Sequence, residues 1–329
     1  MREFAYSRAV TPNEAVGMMA SASGAKYLGG GTNLLDLMKL DVESPDVLID
    51  VSRLTTTEIT DLDDGALHVG AASRNSDLAV DPRVRERFPV LSEALLAGAS
   101  GQLRNAADLG GNLLQRTRCR YFKDTSSPCN KRVPGSGCPA IRGEHHTLAI
   151  FEGSAHCVAT HPSDMAVALT ALDATVHLEE AAGPRSISIH ELYRAPGDTP
   201  ELDTTLHHDA LITGISLDPT TVGWPSTYRK IRERASFAFA LVSLAALLRV
   251  EHGRVVDLRL ALGGVAHRPW RARVAEARLR GAPVSVDSFA AAIDDELAAA
   301  TPLRDNAFKV RLVHKVVIAT LAQLSEIHS

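Results

Sequence analysis

"KYLGGGTNLLDLMKL", residues 26–40, decides how the rest of the chain is read. Three apolar or amphipathic residues form a short strand that runs into three consecutive glycines. Thr32 and Asn33 follow, and then leucines at helical spacing. Glycines without Cβ let successive backbone N–H groups converge on an anion, and Thr32 and Asn33 add side-chain donors. A tight turn uses the same residues. The stretch matches neither the dinucleotide fingerprint nor the P-loop, so alone it leaves both readings open.

On the N-terminal side, Thr11 is placed to cap a helix with Pro12 at its first position and Glu14 completing a capping box. This helix is predicted to run to about Ser23 and stop at Gly24. On the C-terminal side, residues 47–52 read as a buried strand and 57–71 as a hairpin around Asp64-Gly65. Residues 76–100 read as helical. "LGGNLLQ" (109–115) is then a second glycine loop, with Asn112 just after the glycines. Two such loops can hold the two ends of one pyrophosphate.

Residues 116–145 have no apolar period and are rich in Pro, Gly, Ser and charge, so without an organising group they read as disordered. Residues 146–161 alternate and are predicted to form a hairpin turning at Glu152-Gly153. A helix is expected over 162–174 and strands at 174–179 and 210–217. Composition shifts at "DPTTVGWP" (218–225), where the domain boundary is placed. Beyond it, "YRKIRER" and a long hairpin (238–250 and 254–263, turning at His252-Gly253) make an antiparallel sheet. Three helices follow, near 270–280, 286–299 and 305–327.

At 329 residues, with 45% apolar and 22% charged residues, the chain has the composition of a globular protein with more than one core. A net charge of -4, with no basic stripe, excludes a nucleic-acid footprint. The most apolar stretch, 237–250, is too short to span a bilayer. No membrane insertion is expected. The N-terminus carries no apolar signal core, which predicts a cytoplasmic protein by its own sequence.

All four cysteines, Cys119, Cys129, Cys138 and Cys157, fall within 39 positions. Four thiols in a chain of this length do not make a disulfide scaffold, and a tight group points to metal. The spacing lacks the C-x2-C pairs of zinc ribbons and the runs of ferredoxins, so zinc and iron–sulfur stay level. His145, His146, His156 and His161 lie nearby as further ligands for zinc.

"YLGGGTNLLDLMKL", "RNAADLGGNLLQ", "HPSDMAVALTAL" and "LALGGVAHRPWRA", in that order, resemble the FAD-binding subunit of the molybdenum hydroxylases, the xanthine dehydrogenase and aldehyde oxidoreductase family. The resemblance covers nearly the whole chain. It implies an α+β fold: a two-lobed FAD-binding domain of the vanillyl-alcohol-oxidase (PCMH) type over 1–222, with lobes at 1–54 and 55–222. A small C-terminal α+β domain of the CO-dehydrogenase-flavoprotein type follows at 223–329.

Carried over by position, Lys26, Tyr27, Leu28, Gly29, Gly30, Gly31, Thr32, Asn33 and Leu34 would wrap the FAD pyrophosphate. Asp108, Gly110, Gly111 and Asn112 would form the second loop. Asp164 would bind sugar or ribityl hydroxyls, Ile212 would pack on the ring system, and Lys230 would sit near the flavin. The family usually has Thr or Ser where this chain has Asp108. An ionised carboxylate only accepts hydrogen bonds, so either it points away or the loop holds FAD less tightly.

A subset of the family carries an insertion here that binds a [4Fe–4S] cluster, and "RTRCRYF…PCNKR.PGSGC" is similar to that of the aldehyde oxidoreductase branch. The resemblance therefore assigns Cys119, Cys129, Cys138 and Cys157 to a [4Fe–4S] cluster, with Arg118, Lys131 and Arg132 offsetting its charge. It further implies a molybdopterin-binding large subunit and a [2Fe–2S] small subunit as partners. Electrons would pass through FAD to an external acceptor, and export of the complex on a partner's twin-arginine signal would place it in the periplasm. A zinc-stapled interaction subunit without flavin and a freestanding FAD oxidase are the rival readings. No catalytic acid or base is assigned.

Overall fold

A computed structural model describes residues 1–54 and 56–326. The first lobe is a three-stranded parallel sheet. Strands β1 (Ala5–Arg8), β2 (Ala25–Leu28) and β3 (Val47–Asp50) lie in the order β1-β3-β2. Parallel neighbours need crossovers, supplied by helices α1 (Pro12–Ala20) and α2 (Leu34–Lys39). Thr11 caps α1 as predicted, accepting from Glu14 N at 3.1 Å. The Glu14 carboxylate, however, accepts from Val10 N at 2.7 Å, one residue ahead of the cap. The helix ends at Ala20, short of the expected Ser23, because the Ser21 hydroxyl donates back to Gly17 O at 2.8 Å and closes the last turn.

Five antiparallel strands build the second lobe: β4 (Ile59–Asp61), β5 (Leu67–Gly70), β6 (Thr175–Glu180), β7 (Gly183–Ser188) and β8 (Leu211–Leu217), in the order β4-β5-β8-β6-β7. The segment read as helical over 76–100 is helical, in three pieces: α3 (Asn75–Val80), α4 (Pro82–Arg87) and α5 (Pro89–Ala97). Pro82 and Pro89 each start a new helix, since proline has no N–H to continue the old one. Helices α6 (Gly101–Ala106), α7 (Leu109–Leu113), α8 (Arg120–Lys123), α9 (Asp164–Ala171) and α10 (Ile189–Leu192) complete the lobe.

Residues 116–145 are not a featureless loop. Arg132 Nη1 donates to the carbonyls of Tyr121, Phe122 and Asp124 at 2.6, 2.7 and 2.9 Å and gathers the segment around one guanidinium. The hairpin predicted over 146–161 does not form. A turn does sit at Glu152, with φ 51°, and Ala149 N reaches Val158 O at 2.9 Å. But Ile150 N and Phe151 N both donate to Val265 O, so the outgoing arm pairs with the C-terminal domain instead of with its own return.

That domain has strands β9 (Ser226–Ile231), β10 (Val242–Glu251), β11 (Arg254–Gly263) and β12 (Trp270–Arg271), in the order β12-β11-β10-β9. Helices α11 (Arg273–Leu279), α12 (Val286–Leu297) and α13 (Phe308–Glu326) pack on it. The last position of the helix predicted to reach 327 lies outside the described residues. Val242–Leu248 is buried without a break because both faces of β10 are covered. Ala245 and Leu247 join the core of the second lobe, while Leu244, Ala246 and Leu248 join that of the C-terminal helices. Among the described residues no helix is long and apolar enough to cross a membrane.

Candidate flavin site and cysteine cluster

Strand β2 delivers the first glycine loop to the sheet's C-terminal end, and the whole run 26–34 lines one cavity of about 340 Å³. Asp108, Gly110 and Gly111 from the second loop and Ile212 from β8 line the same cavity. The two loops touch: a Cβ on Gly30 would lie 2.1 Å from the Ala106 carbonyl oxygen, so only glycine permits this approach. Gly31 takes φ +74°. The N–H groups of Gly31 and Thr32 have no partner among the described residues, and Asn33 Nδ2 is buried with none. Asn33 Oδ1 is held by Arg116 N at 2.8 Å, which turns the amide nitrogen toward the loop. Unspent donors in a glycine cradle are what a diphosphate requires, and the residues fit FAD.

Asp108 does not point away. Its side chain stands between the loops, with Oδ2 accepting from Gly30 N at 2.5 Å and Oδ1 from Gly111 N at 2.7 Å. Burial raises the pKa of this carboxyl, against the pull of the two backbone N–H groups and of Arg74. Asn112 is absent from the lining of this cavity. Its Oδ1 accepts from Ser163 Oγ and Gln115 Nε2, both at 2.7 Å. That bond ties the second loop to the start of α9, where Asp164 lines a second cavity of about 190 Å³. Lys230, which reads in sequence as a solvated charge as easily as a flavin neighbour, is only 4% exposed and donates to Asp164 Oδ2 at 2.7 Å. Tyr228 Oη donates to the other carboxylate oxygen at 2.6 Å.

All four cysteines line a third, small cavity, and Cys119 also lines the second. None is disulfide-bonded. Burial pushes the thiols of Cys119, Cys138 and Cys157 up, the last to about 11, and several backbone N–H groups oppose it. Those of Tyr121 and Phe122 oppose it at Cys119, those of Ala140, Ile141 and Val158 at Cys138, and that of Ala159 at Cys157. Such N–H···S contacts stabilise thiolates and tune iron–sulfur centres. Among the described residues, no three His, Cys, Asp or Glu side chains stand close enough to share one ion.

The nearby histidines are engaged elsewhere. His145 bonds to Ala140 O and Asp305 N, His146 stacks on Phe308 at 4.7 Å, and His161 tilts against Tyr193 at 4.5 Å. Only His156 lines the thiol cavity. Lys131 and Arg132 are not free counter-charges, because Arg132 spends its donors on backbone. Lys131 Nζ binds Pro200 O and Asp203 Oδ1, both at 2.6 Å.

Sequence reasoning missed the polar network beneath the loops. Arg116 pairs with Glu43 at 2.5 Å and, without hydrogen-bond alignment, with Asp203 at 2.6 Å. His267 Nε2 lies 3.8 Å from Asp203. Burial would raise the Asp203 carboxyl, but Lys131, Arg116 and His267 hold it at about 2. Its members come from five distant segments, so no local pattern announces it. Tyr228 was legible in principle: it sits two residues from Lys230 and so shares its face of β9.

Two lobes and two interlocked glycine loops around a cradle of free donors define a flavin-dinucleotide-binding protein. Residues 2–220 match the profile described as the FAD binding domain in molybdopterin dehydrogenase, and 226–324 match the CO dehydrogenase flavoprotein C-terminal domain. The chain is 49% identical to the aldehyde oxidoreductase FAD-binding subunit PaoB of Escherichia coli (strain K12), over 98% of each chain. It is 27% identical to the glyceraldehyde dehydrogenase medium chain of Sulfolobus acidocaldarius, over 87% of this chain and 84% of that one. A chain of carbon monoxide dehydrogenase from Hydrogenophaga pseudoflava shares the fold with a TM-score of 0.75 at 24% identity, covering 97% of this chain and 96% of that one. The chain belongs to the FAD-binding medium subunits of the molybdenum hydroxylases and is part of an oxidoreductase complex. The profile descriptions name FAD and molybdopterin; neither names an iron–sulfur group.

Proposed function

We propose that this chain is the electron-transfer subunit of an aldehyde-oxidising molybdenum hydroxylase, carrying FAD in the cavity between the glycine loops and a [4Fe–4S] cluster on Cys119, Cys129, Cys138 and Cys157. Its partners would be a molybdopterin-binding large subunit and a [2Fe–2S] small subunit. The observation that carries the flavin half is the touching pair of loops with unpartnered donors at Gly31, Thr32 and Asn33. The nearly full-length similarity to an aldehyde oxidoreductase subunit supports the aldehyde assignment.

When bound, FAD supplies the exchange between single-electron arrival from the partner's clusters and paired-electron delivery to an external acceptor, and the iron–sulfur group supplies single-electron chemistry. The chain's own part is positional. The run 26–34 holds the diphosphate, Ile212 gives an apolar floor, and the Asp164–Lys230–Tyr228 set fixes the polar wall of the second cavity. Four thiols with soft sulfur donors and N–H···S contacts suit iron–sulfur better than zinc, because a cubane is held at separate corners and zinc draws its ligands to one point. Oxygen, a quinone or an electron-carrier protein is the acceptor class this reading favours over a nicotinamide. The reading places the chain in the cytoplasm, or in the periplasm when its complex is exported.

The absorption spectrum and the metal content of the purified full chain test this. Flavin bands with a broad iron–sulfur shoulder, plus iron and acid-labile sulfide, are expected. A colourless, zinc-containing preparation overturns the whole reading. Flavin with zinc overturns the cluster alone. Turnover of an aldehyde by the isolated chain overturns the need for partners.

A further inference from the structure

The carboxyl of Asp108 occupies the point where N–H groups from both glycine loops converge. It is 5% exposed, takes Gly30 N at 2.5 Å on one oxygen and Gly111 N at 2.7 Å on the other, and lines the same cavity as the unspent donors of Gly31 and Thr32. The glycines around it leave no slack. A Cβ on Gly29 would meet Asp108 Oδ2 at 2.3 Å, and one on Gly111 would meet Oδ1 at 2.7 Å. An ionised carboxylate held there offers a diphosphate only acceptor atoms and like charge.

From this geometry, and resting on the FAD reading above, we propose that Asp108 makes flavin-dinucleotide binding proton-linked: the diphosphate enters with one proton taken up from solvent by Asp108. The protonated carboxyl then becomes a hydrogen-bond donor to a phosphate oxygen while still accepting from a loop N–H. Burial favours its neutral form and the two loop N–H groups favour the ionised one, so a second negative group arriving beside it shifts the balance toward protonation. The other charged groups around it do not remove the conflict. Arg74 faces it from the strand-to-helix turn after β5, with Nη1 donating to Ala106 O at 2.5 Å, and its charge favours the ionised form without supplying the donor a phosphate oxygen needs at this point. Lys26 and Arg116 line the cavity but share Glu43, at 3.9 and 2.5 Å. His207 and His208 line the cavity near β8 and would favour an anion in the same pH direction, so the test must separate them from Asp108.

The test is FAD binding to the deflavinated full chain, followed by flavin fluorescence from about pH 5 to about pH 9, for wild type, Asp108→Asn and Asp108→Thr. Isothermal titration in two buffers of different ionisation enthalpy counts the protons. The FAD diphosphate stays fully ionised across this range, so the ligand adds no slope of its own. Wild type is expected to lose about tenfold in affinity per pH unit over the upper part of the range, the signature of one linked proton, with proton uptake on binding. Asp108→Asn and Asp108→Thr are expected to bind with a flat profile and at least about tenfold tighter at the alkaline end. A pH-independent wild-type affinity overturns the proposal and leaves the FAD site standing. A slope retained in both variants also overturns it and moves the proton to His207 or His208. No FAD binding by wild type at any pH overturns the FAD reading itself, and this inference with it.

Discussion

Lys230 Nζ lies 2.7 Å from Asp164 Oδ2, an ion pair between β9 of the C-terminal domain and α9 of the flavin lobe in which both side chains are nearly sealed from solvent, at 4% and 9% exposed. Breaking a buried pair from one side strands the other charge. Lys230→Met is therefore expected to cost about 3 kcal/mol in urea unfolding, although the Tyr228 hydroxyl stays on the carboxylate. Asp164→Asn, Lys230→Met together should recover part of that loss. A single-variant cost below about 1 kcal/mol would mean the pair is solvated after all.

The contact between the glycine loops makes a second prediction. In Gly30→Ala the new methyl group must displace the Ala106 carbonyl or part the loops. Overpacking of this kind costs about 2 kcal/mol, which corresponds to roughly thirty-fold weaker FAD retention. Gly17→Ala is the control. A Cβ there meets nothing within 4 Å in the middle of α1, so it should raise stability by up to about 1 kcal/mol without touching flavin content. Flavin-to-protein ratios after gel filtration report both.

Single Cys→Ser changes at 119, 129, 138 or 157 are expected to abolish acid-labile sulfide and most of the iron while leaving the flavin bands, since the thiols and the glycine loops line different cavities. Parallel loss of FAD in Cys129→Ser, whose residue is remote from the second cavity, would contradict that separation.

A pH dependence of stability follows from His267. Burial chiefly, with Lys131 adding to it, depresses this imidazole to about 4 in the folded protein, against an ordinary value of about 6.5. Between those values the unfolded chain binds the proton and the folded chain does not, so stability is complete above about pH 6.5 and declines as pH falls toward about 4. The loss from this one residue is at most roughly 3 kcal/mol. His267→Gln should reduce the slope of the melting temperature against pH in that interval, with His161, depressed by burial to about 3, carrying what remains, and an unchanged slope would assign the acid sensitivity elsewhere.

What could be read from the sequence was whatever is local. The Thr11 cap, the strand–glycine–helix run at 26–40 and the β10–β11 hairpin each rest on neighbouring residues, and each stands in the structure. Failures came where distant chain decides. The alternation at 146–161 matched a hairpin, but Val265 claims the Ile150 and Phe151 amides. The helical reading of 76–100 stands, and Pro82 and Pro89 divide it into three helices. The Arg116–Asp203–Lys131 network leaves no trace because charge complementarity across about 70 to 90 positions has no sequence period. Asp108 stands out in the sequence, yet nothing local says that its two oxygens serve two loops.

Lys131 stands two residues after Cys129, and its buried ammonium is fastened to Asp203 and to the carbonyl of Pro200. The thiol-bearing excursion is thus pegged from its own middle to the flavin lobe by a bond that involves no sulfur. The order of this stretch therefore has a fastening that does not depend on what the thiols hold.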